Sequence, residues 1–203
     1  MPIERAVDPG CVTKEAESTP AGGHALVVYE SFFGNTAHIA EAVAGALRLE
    51  GWSARVVNVA HAGDADVDGV DLLVVGAPTH AFSMSRPSTR TEAVDRGGSG
   101  DYERGGMREW LEELPAASSP DPLAATFDTR ASKVRHLPAS AARTAGRALR
   151  RKGFRVLGKP AGFIVQDVEG PLESRETEHA IAWGRAIVRE AETTIAARRT
   201  SRV

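Results

Sequence analysis

The sequence predicts a three-layer, doubly wound α/β domain built on a five-stranded parallel sheet. Three observations predict this fold class: strand-like apolar segments alternate with helical or polar segments, several of these strands are continuously apolar, and no internal repeat or heptad series competes with them. Strands that are covered on both faces have unbroken apolar runs, and crossover segments between them favour a parallel sheet with helices on either side.

Three of the predicted strands lie in the first half of the chain. Residues 25–30 (ALVVYE) form the first strand, and a helix with apolar residues at helical spacing runs from Thr36 to Gly51. Residues 54–59 (ARVVNV) form the second strand and residues 71–78 (DLLVVGAP) form the third. The third is apolar almost throughout, which is typical of a central strand in a parallel sheet.

The second half continues the alternation after a long interruption. Residues 83–106 are rich in Gly, Ser and charge, which predicts an excursion over the surface, either a lid over a pocket or an inert loop. The other predicted elements are a short helix at 107–114, a fourth strand at 123–130, a helix at 140–152, a fifth strand at 161–166 and a closing helix at 173–197.

Composition limits the classes of partner. A chain of 203 residues predicts one domain, at 23–199, after a flexible N-terminal tail at 1–22 that contains no apolar run for a signal or a membrane span. The net charge of -2 gives no general attraction to nucleic acid or to an anionic membrane. The one cysteine, Cys11, excludes an intramolecular disulfide and a Cys-based metal site. We therefore expect a cytoplasmic protein without a metal site.

The turn between the first strand and the first helix is the first candidate site. It has the sequence SFFGNT, residues 31–36. The first N–H groups of a helix have no partner and lie at the positive end of its dipole, so they bind anions. Ser31, Asn35 and Thr36 add side-chain donors, and Gly34 permits the backbone geometry of the turn. Residues 25–36 contain no Lys or Arg, which excludes a P-loop with its GK[ST] motif. A plain helix cap is the alternative.

The Ser/Thr-rich end of the third strand is the second candidate site. It has the sequence GAPTHAFSMS, residues 76–85. In a doubly wound sheet of order 2-1-3-4-5, the order we predict, the ligand crevice lies at the carboxyl ends of strands one and three. The two loop-like strand ends therefore meet at one crevice.

These two loops resemble those of the flavodoxin-like family. SFFGNT resembles the phosphate loop of FMN-binding flavodoxins and related quinone reductases, and GAPTHAFSM resembles their second flavin loop. In element order the resemblance extends over about residues 25–197, with residues 127–138 (FDTRASKVRHLP) as the third loop. It implies FMN as the cofactor.

The resemblance also implies which residues bind the flavin. The phosphate would be held by Ser31, Phe32, Phe33, Gly34, Asn35 and Thr36. The isoalloxazine would be lined by Pro78, Thr79, His80, Ala81, Phe82, Ser83 and Met84, together with Asp128, Thr129 and Arg130.

The function implied is electron transfer through the flavin, which requires no catalytic side chain. The partner is then either a redox protein or, for an NAD(P)H-dependent quinone or flavin reductase, a small-molecule quinone or NAD(P)H. His80 is a candidate proton donor; the alternatives are a solvated loop histidine or one that donates a single structural hydrogen bond. Two alternatives stay open: a flavin-free binding module of the same fold, and an enzyme that binds a phosphorylated metabolite in the anion site.

Residues 131–160 form a basic block, with nine Lys or Arg residues and no acid. Helical spacing places four of its arginines on one side of the predicted helix: Arg143, Arg147, Arg150 and Arg151. This side is either a solvated outer face or a docking site for an acidic partner or for the phosphates of NADPH. The block lacks interleaved aromatic residues, so we expect no nucleic-acid binding.

Overall fold

The computed structural model describes residues 22–63, 67–102, 105–117 and 122–200. The predicted tail, residues 1–22, lies outside the described residues apart from Gly22. Strands and helices alternate as the apolar periodicity predicts, and most of the observed ends lie within one or two residues of the predicted ones. The strands are β1 (His24–Tyr29), β2 (Ser53–Asn58), β3 (Leu72–Pro78), β4 (Leu123–Ala131), β5 (Arg155–Val156) and β6 (Ala161–Val165). The helices are α1 (Asn35–Leu49), α2 (Pro87–Asp95), α3 (Met107–Glu113), α4 (Ala141–Arg151) and α5 (Glu176–Thr200).

All strands of the sheet are parallel, and the order β2-β1-β3-β4-β5 confirms the predicted topology. The prediction of five strands is incomplete, because β6 also pairs with β4. Strands β5 and β6 share the position beside β4: β5 pairs with its first two residues and β6 with residues 127–131. Gly158, which has a positive φ, and Pro160 lie between them, and both interrupt regular strand geometry.

The sheet separates two apolar cores, which gives the three predicted layers. Alternating residues of each central strand point to opposite faces. Val27 packs with α1 and α5 in one core, whereas Val28 packs with α2, α3 and α4 in the other. Both side chains are completely buried. This arrangement places the carboxyl ends of β1, β3 and β4 at one edge of the sheet.

Residues 83–106 differ from the predicted excursion. They contain helix α2 and several buried side chains, among them Met84, Arg90 and Tyr102. Arg90 donates to both carboxylate oxygens of Glu109, at 3.0 and 3.1 Å, and also contacts the Ser85 hydroxyl. The described part of this segment is therefore packed onto the domain. The α2 sequence PSTRTEAVD has no apolar stripe, so periodicity gives no sign of the helix.

Candidate functional site

A cavity of about 310 Å³ lies at the carboxyl ends of β1, β3 and β4. The three predicted loops meet there, as the sheet order requires. Twelve of the sixteen predicted site residues line it: Ser31, Phe32, Phe33, Asn35, Thr36, Pro78, Thr79, His80, Ala81, Phe82, Thr129 and Arg130. The other four predicted residues, which are Gly34, Ser83, Met84 and Asp128, are not among the lining residues.

Helix α1 begins at the cavity with open hydrogen-bond donors. Gly34 precedes it in the left-handed conformation, with φ of 83°, and among the described residues no side chain makes a cap hydrogen bond at this end of the helix. Within the described part of the chain, the backbone N–H groups of residues 32–37 have no hydrogen-bond acceptor, and the first bond of the helix is from His38 N–H to the Gly34 carbonyl. These donors and the helix dipole make the turn suitable for an anion.

Ser31 adds a further open donor at the same place. The residue is only 8% exposed and lines the cavity, and its Oγ is buried without a partner among the described residues. A buried polar atom without a hydrogen bond is rare in folded proteins and destabilises them by about 1–3 kcal/mol. This hydroxyl is therefore a candidate donor to a ligand oxygen at the cavity.

The other two predicted side-chain donors already have partners within the chain. Asn35 Nδ2 donates to the Glu169 carbonyl at 2.9 Å, and the hydroxyls of Thr36 and Thr129 share a hydrogen bond of 2.8 Å. These bonds fix the first turn of α1 against the turn after β6 and the end of β4. Among the described residues, the open donors of the anion site therefore include the Ser31 hydroxyl and the backbone N–H groups.

The second loop is a tight hairpin with unusual residues at its tip. His80 and Ser83 exchange two backbone hydrogen bonds, of 2.8 and 3.0 Å. Ala81 and Phe82, between them, have φ of 44° and 66°, a combination that favours Gly or Asn. A positive φ in other residues costs about 1 kcal/mol. This hairpin keeps the Phe82 side chain at the cavity wall, where it is 51% exposed.

His80 is neutral near pH 7. Its ring contacts the edge of Phe32, with ring centroids 5.2 Å apart. Burial lowers the pKa of His80 below its ordinary 6.5, and the nearby Glu92 carboxylate opposes part of this effect. A neutral imidazole donates one hydrogen bond and accepts another, so His80 can bind either kind of polar atom in the cavity.

Asp128 and Arg130, which the sequence predicts to lie in the third loop, lie instead in the last part of β4 and form an ion pair there. Arg130 donates to both carboxylate oxygens of Asp128, at 2.7 and 2.8 Å, and lies over Gly162, where a Cβ would be 2.6 Å from the guanidinium. Asp128 is fully buried and also accepts from the Ala142 N–H at the start of α4. Asp128 therefore orients Arg130 at the cavity from behind it.

The remaining predicted residues lie outside the wall for different reasons. Met84 is 3% exposed and packs in the apolar core next to α3 and α4. The Ser83 hydroxyl contacts Arg108 and Thr144. Gly34 has no side chain, and a Cβ built on it would have no atom within 4 Å.

Helix α2 and the turn after β6 provide wall residues that sequence reasoning missed. From α2 and its C-cap, these are Thr89, Glu92, Ala93 and Arg96. Glu92 and Arg96 form an ion pair of 3.0 Å on the helix surface. Val165, the last residue of β6, and Val168, in the turn after it, also line the cavity. The only sequence signal for α2 was its position, directly after the second loop.

The described residues give two further findings. They contain no cluster of three or more His, Cys, Asp or Glu side chains that could hold a metal ion. Among the same residues, no helix combines the length and the apolar character that crossing a bilayer requires.

Several solved flavodoxin structures resemble this chain. A flavodoxin from the domain Archaea has a TM-score of 0.62 at 18% identity, and the match covers 83% of this chain and 99% of that one. The Streptococcus pneumoniae TIGR4 flavodoxin has a TM-score of 0.59 at 17% identity, with 85% and 99% covered. A flavodoxin, WrbA-like protein from Agrobacterium tumefaciens has a TM-score of 0.51 at 16% identity, with 85% and 99% covered.

These likenesses establish the flavodoxin-like fold for this chain, as the loop resemblance predicts. No protein-family model and no curated protein matches the sequence.

Proposed function

We propose that this protein binds FMN in the cavity and acts as an electron-transfer protein. The observation that carries this proposal is the Ser31 hydroxyl, buried and without a partner among the described residues, beside the open N–H groups at the start of α1. Together they offer a phosphate group only neutral donors, as the sequence of the turn predicts. Their arrangement fits the phosphate of FMN.

In this proposal the chain holds the two ends of the cofactor differently. Ser31 and the N–H groups of residues 32–37 bind the phosphate, and the second and third loops line the isoalloxazine. FMN supplies the electron transfer when bound. The protein orients it through the Phe82 side chain, the neutral His80 ring and the Arg130 guanidinium that Asp128 fixes.

A protein partner of the carrier would dock at the basic face of α4. The side chains of Arg143, Arg147, Arg150 and Arg151 are exposed, whereas Ala141, Ala145 and Leu149 are buried against the sheet. Helix α4 begins at the cavity, because the Ala141 N–H donates to Thr79 Oγ1 at 3.0 Å. This face would steer an acidic redox partner toward the cavity.

The second candidate function is an NAD(P)H-dependent quinone or flavin reductase. The observation that favours it is helix α2, which brings the Glu92–Arg96 ion pair into the cavity wall. A wall beside the flavin makes a compartment for a small substrate, which a carrier that meets protein partners does not need. His80, next to Glu92, would then contact the substrate.

Two experiments test FMN binding. Purified apo-protein is titrated with FMN under anaerobic conditions, and the complex is then reduced stepwise while its absorbance is recorded. Build-up of a one-electron form supports the carrier, and direct passage to the two-electron form supports the reductase. Apo-protein that does not bind FMN overturns both candidates and leaves the flavin-free module and the phosphorylated-metabolite enzyme.

The second experiment removes the hydroxyl on which the proposal depends. Ser31→Ala should weaken FMN binding by at least about 10-fold, since a hydrogen bond to a charged group contributes about 1.5–3 kcal/mol. It should not destabilise the apo-protein, because the hydroxyl has no partner among the residues that the structure describes. Ser53→Ala, at an exposed position of β2, is the matched control. An apo-protein that loses stability with Ser31→Ala would mean that the hydroxyl serves the fold.

A further inference from the structure

Tyr102 contacts the backbone of the phosphate loop although it lies 71 residues later in the chain than Ser31. It belongs to the segment after the second loop, yet its side chain is 1% exposed and reaches the end of β1. Its hydroxyl accepts a hydrogen bond from the Ser31 N–H at 2.8 Å and donates one to the Ser31 carbonyl at 3.1 Å. One hydroxyl thus satisfies both peptide groups of Ser31.

The neighbouring residues hold the next position of the loop. The Ser99 N–H donates to the Phe32 carbonyl at 2.8 Å. The rings of Phe32 and Tyr102 pack edge to face, with centroids 4.8 Å apart. Gly98 allows this approach, since a Cβ there would be 3.1 Å from Phe32 Cβ and 2.8 Å from the Ala93 carbonyl oxygen. Residues 98–102 therefore fix Ser31 and Phe32, the first two residues of the turn.

The longer segment that contains residues 98–102, from Ser85 to Tyr102, is itself anchored to the domain. At its start, the Ser85 hydroxyl donates to the buried carboxylate of Glu30 at 2.5 Å. The bidentate pair of Arg90 and Glu109 joins α2 to α3. The Tyr102 hydroxyl also stays protonated near neutral pH, because burial raises its pKa to about 12. Its two hydrogen bonds to Ser31 are therefore maintained at every pH near neutrality.

We propose that Tyr102 is a positioning residue for the phosphate-binding turn and sets its preference for a phosphorylated flavin. By holding the Ser31 backbone, it keeps the Ser31 hydroxyl and the N–H groups of residues 32–37 in one arrangement before the ligand binds. Donors that are ordered before binding do not have to be ordered by the ligand, so the affinity of the turn for a phosphate group is higher. This inference rests on the proposed binding of FMN.

The test compares FMN with riboflavin, which lacks the phosphate. Tyr102→Phe retains the buried ring and removes only the hydroxyl. It should raise the Kd of FMN by about 10-fold, the equivalent of about 1.4 kcal/mol, and change the Kd of riboflavin less than twofold. Tyr29→Phe makes the same chemical change at the end of β1, outside the cavity lining, and should leave both constants unchanged.

A second measurement tests the backbone of the phosphate-binding turn in the absence of flavin. In the apo-protein, amide hydrogen exchange at Ser31 should accelerate by at least about 10-fold in Tyr102→Phe, with core amides unchanged, because the amide loses its acceptor. Equal weakening of FMN and riboflavin, or unchanged FMN affinity, would overturn the positioning role while FMN binding by the wild type stands. A wild type that binds neither flavin would overturn the proposed function and this inference with it.

Discussion

Thr36 and Thr129 join two distant parts of the site through one buried hydrogen bond. Their hydroxyls are 2.8 Å apart, and the residues are 2% and 4% exposed. Thr36 lies in the first turn of α1 and Thr129 in the last part of β4, 93 residues later in the chain. The bond therefore couples the phosphate-binding turn to the strand that carries Asp128 and Arg130.

A double-mutant cycle should reveal this coupling. Thr36→Val or Thr129→Val alone leaves one buried hydroxyl without a partner, so each should lower the free energy of unfolding of the apo-protein by about 1–3 kcal/mol. The double variant removes both hydroxyls and should be more stable than the sum of the two losses predicts. Chemical denaturation of the four proteins measures this. Strict additivity would show that the two hydroxyls do not depend on each other.

Gly34 and Gly51 allow a matched comparison at the two ends of α1. Their φ angles are 83° and 85°, and a Cβ on either would have no atom within 4 Å. Asp at either position therefore introduces similar backbone strain. Gly34→Asp should weaken FMN binding at least about 100-fold, or about 3 kcal/mol, because its carboxylate occupies the anion site. Gly51→Asp should leave the Kd unchanged. Flavin titration measures both, and unaltered affinity in Gly34→Asp would refute the assignment of the loop.

Gly76 should be intolerant of any side chain. It pairs with Phe127 across β3 and β4, and a Cβ on it would overlap the Phe127 ring. Gly76→Ala should lower the free energy of unfolding by about 3 kcal/mol through overpacking. Gly45→Ala is the control, since this position within α1 has open space around it and Ala favours helix by about 1 kcal/mol. Thermal and urea unfolding should show a lower free energy of unfolding than wild type for Gly76→Ala and a higher one for Gly45→Ala. A change in the same direction for both variants would contradict this packing.

The half-buried His80 predicts a pH dependence of stability. Its pKa is lowered in the folded protein, so the unfolded chain binds a proton at His80 more readily than the folded one. Wild-type stability should fall relative to His80→Gln as the pH decreases below about 6.5, the ordinary pKa of histidine. Urea unfolding of both proteins from pH 5 to 8 measures the difference. A difference that is constant over this range would show that His80 titrates alike in both states.

The sheet was predictable because its strands have strong apolar signals. Continuous runs such as LLVV in β3 can be buried only between two layers, and short crossovers then leave few topologies. The division of the edge position beside β4 into two strands, β5 and β6, was not predictable in this way. β5 has two residues, too few for a periodic pattern, and its pairing with β4 depends on the Leu157 N–H reaching the Ala124 carbonyl.

For the site, the sequence revealed local features and missed tertiary ones. The turn at 31–36 carries its chemistry within six residues, so its open donors were predictable from the start of α1. The partners of its side chains were not. Asn35 contacts Glu169, and Ser31 contacts Tyr102, through separations of 134 and 71 residues. Only the folded chain shows that Ser31 keeps its hydroxyl open while its backbone is held.

The divided edge of the sheet also affects how this protein meets other copies of itself. A long, regular edge strand offers unpaired N–H and carbonyl groups to any neighbouring chain, which leads to aggregation. Here that edge is formed by a strand of two residues and another of five, with Gly158 and Pro160 between them. No continuous ladder can extend from it. Replacing Gly158 and Pro160 with β-branched residues to make one uninterrupted strand would therefore increase the tendency of the purified protein to aggregate at high concentration.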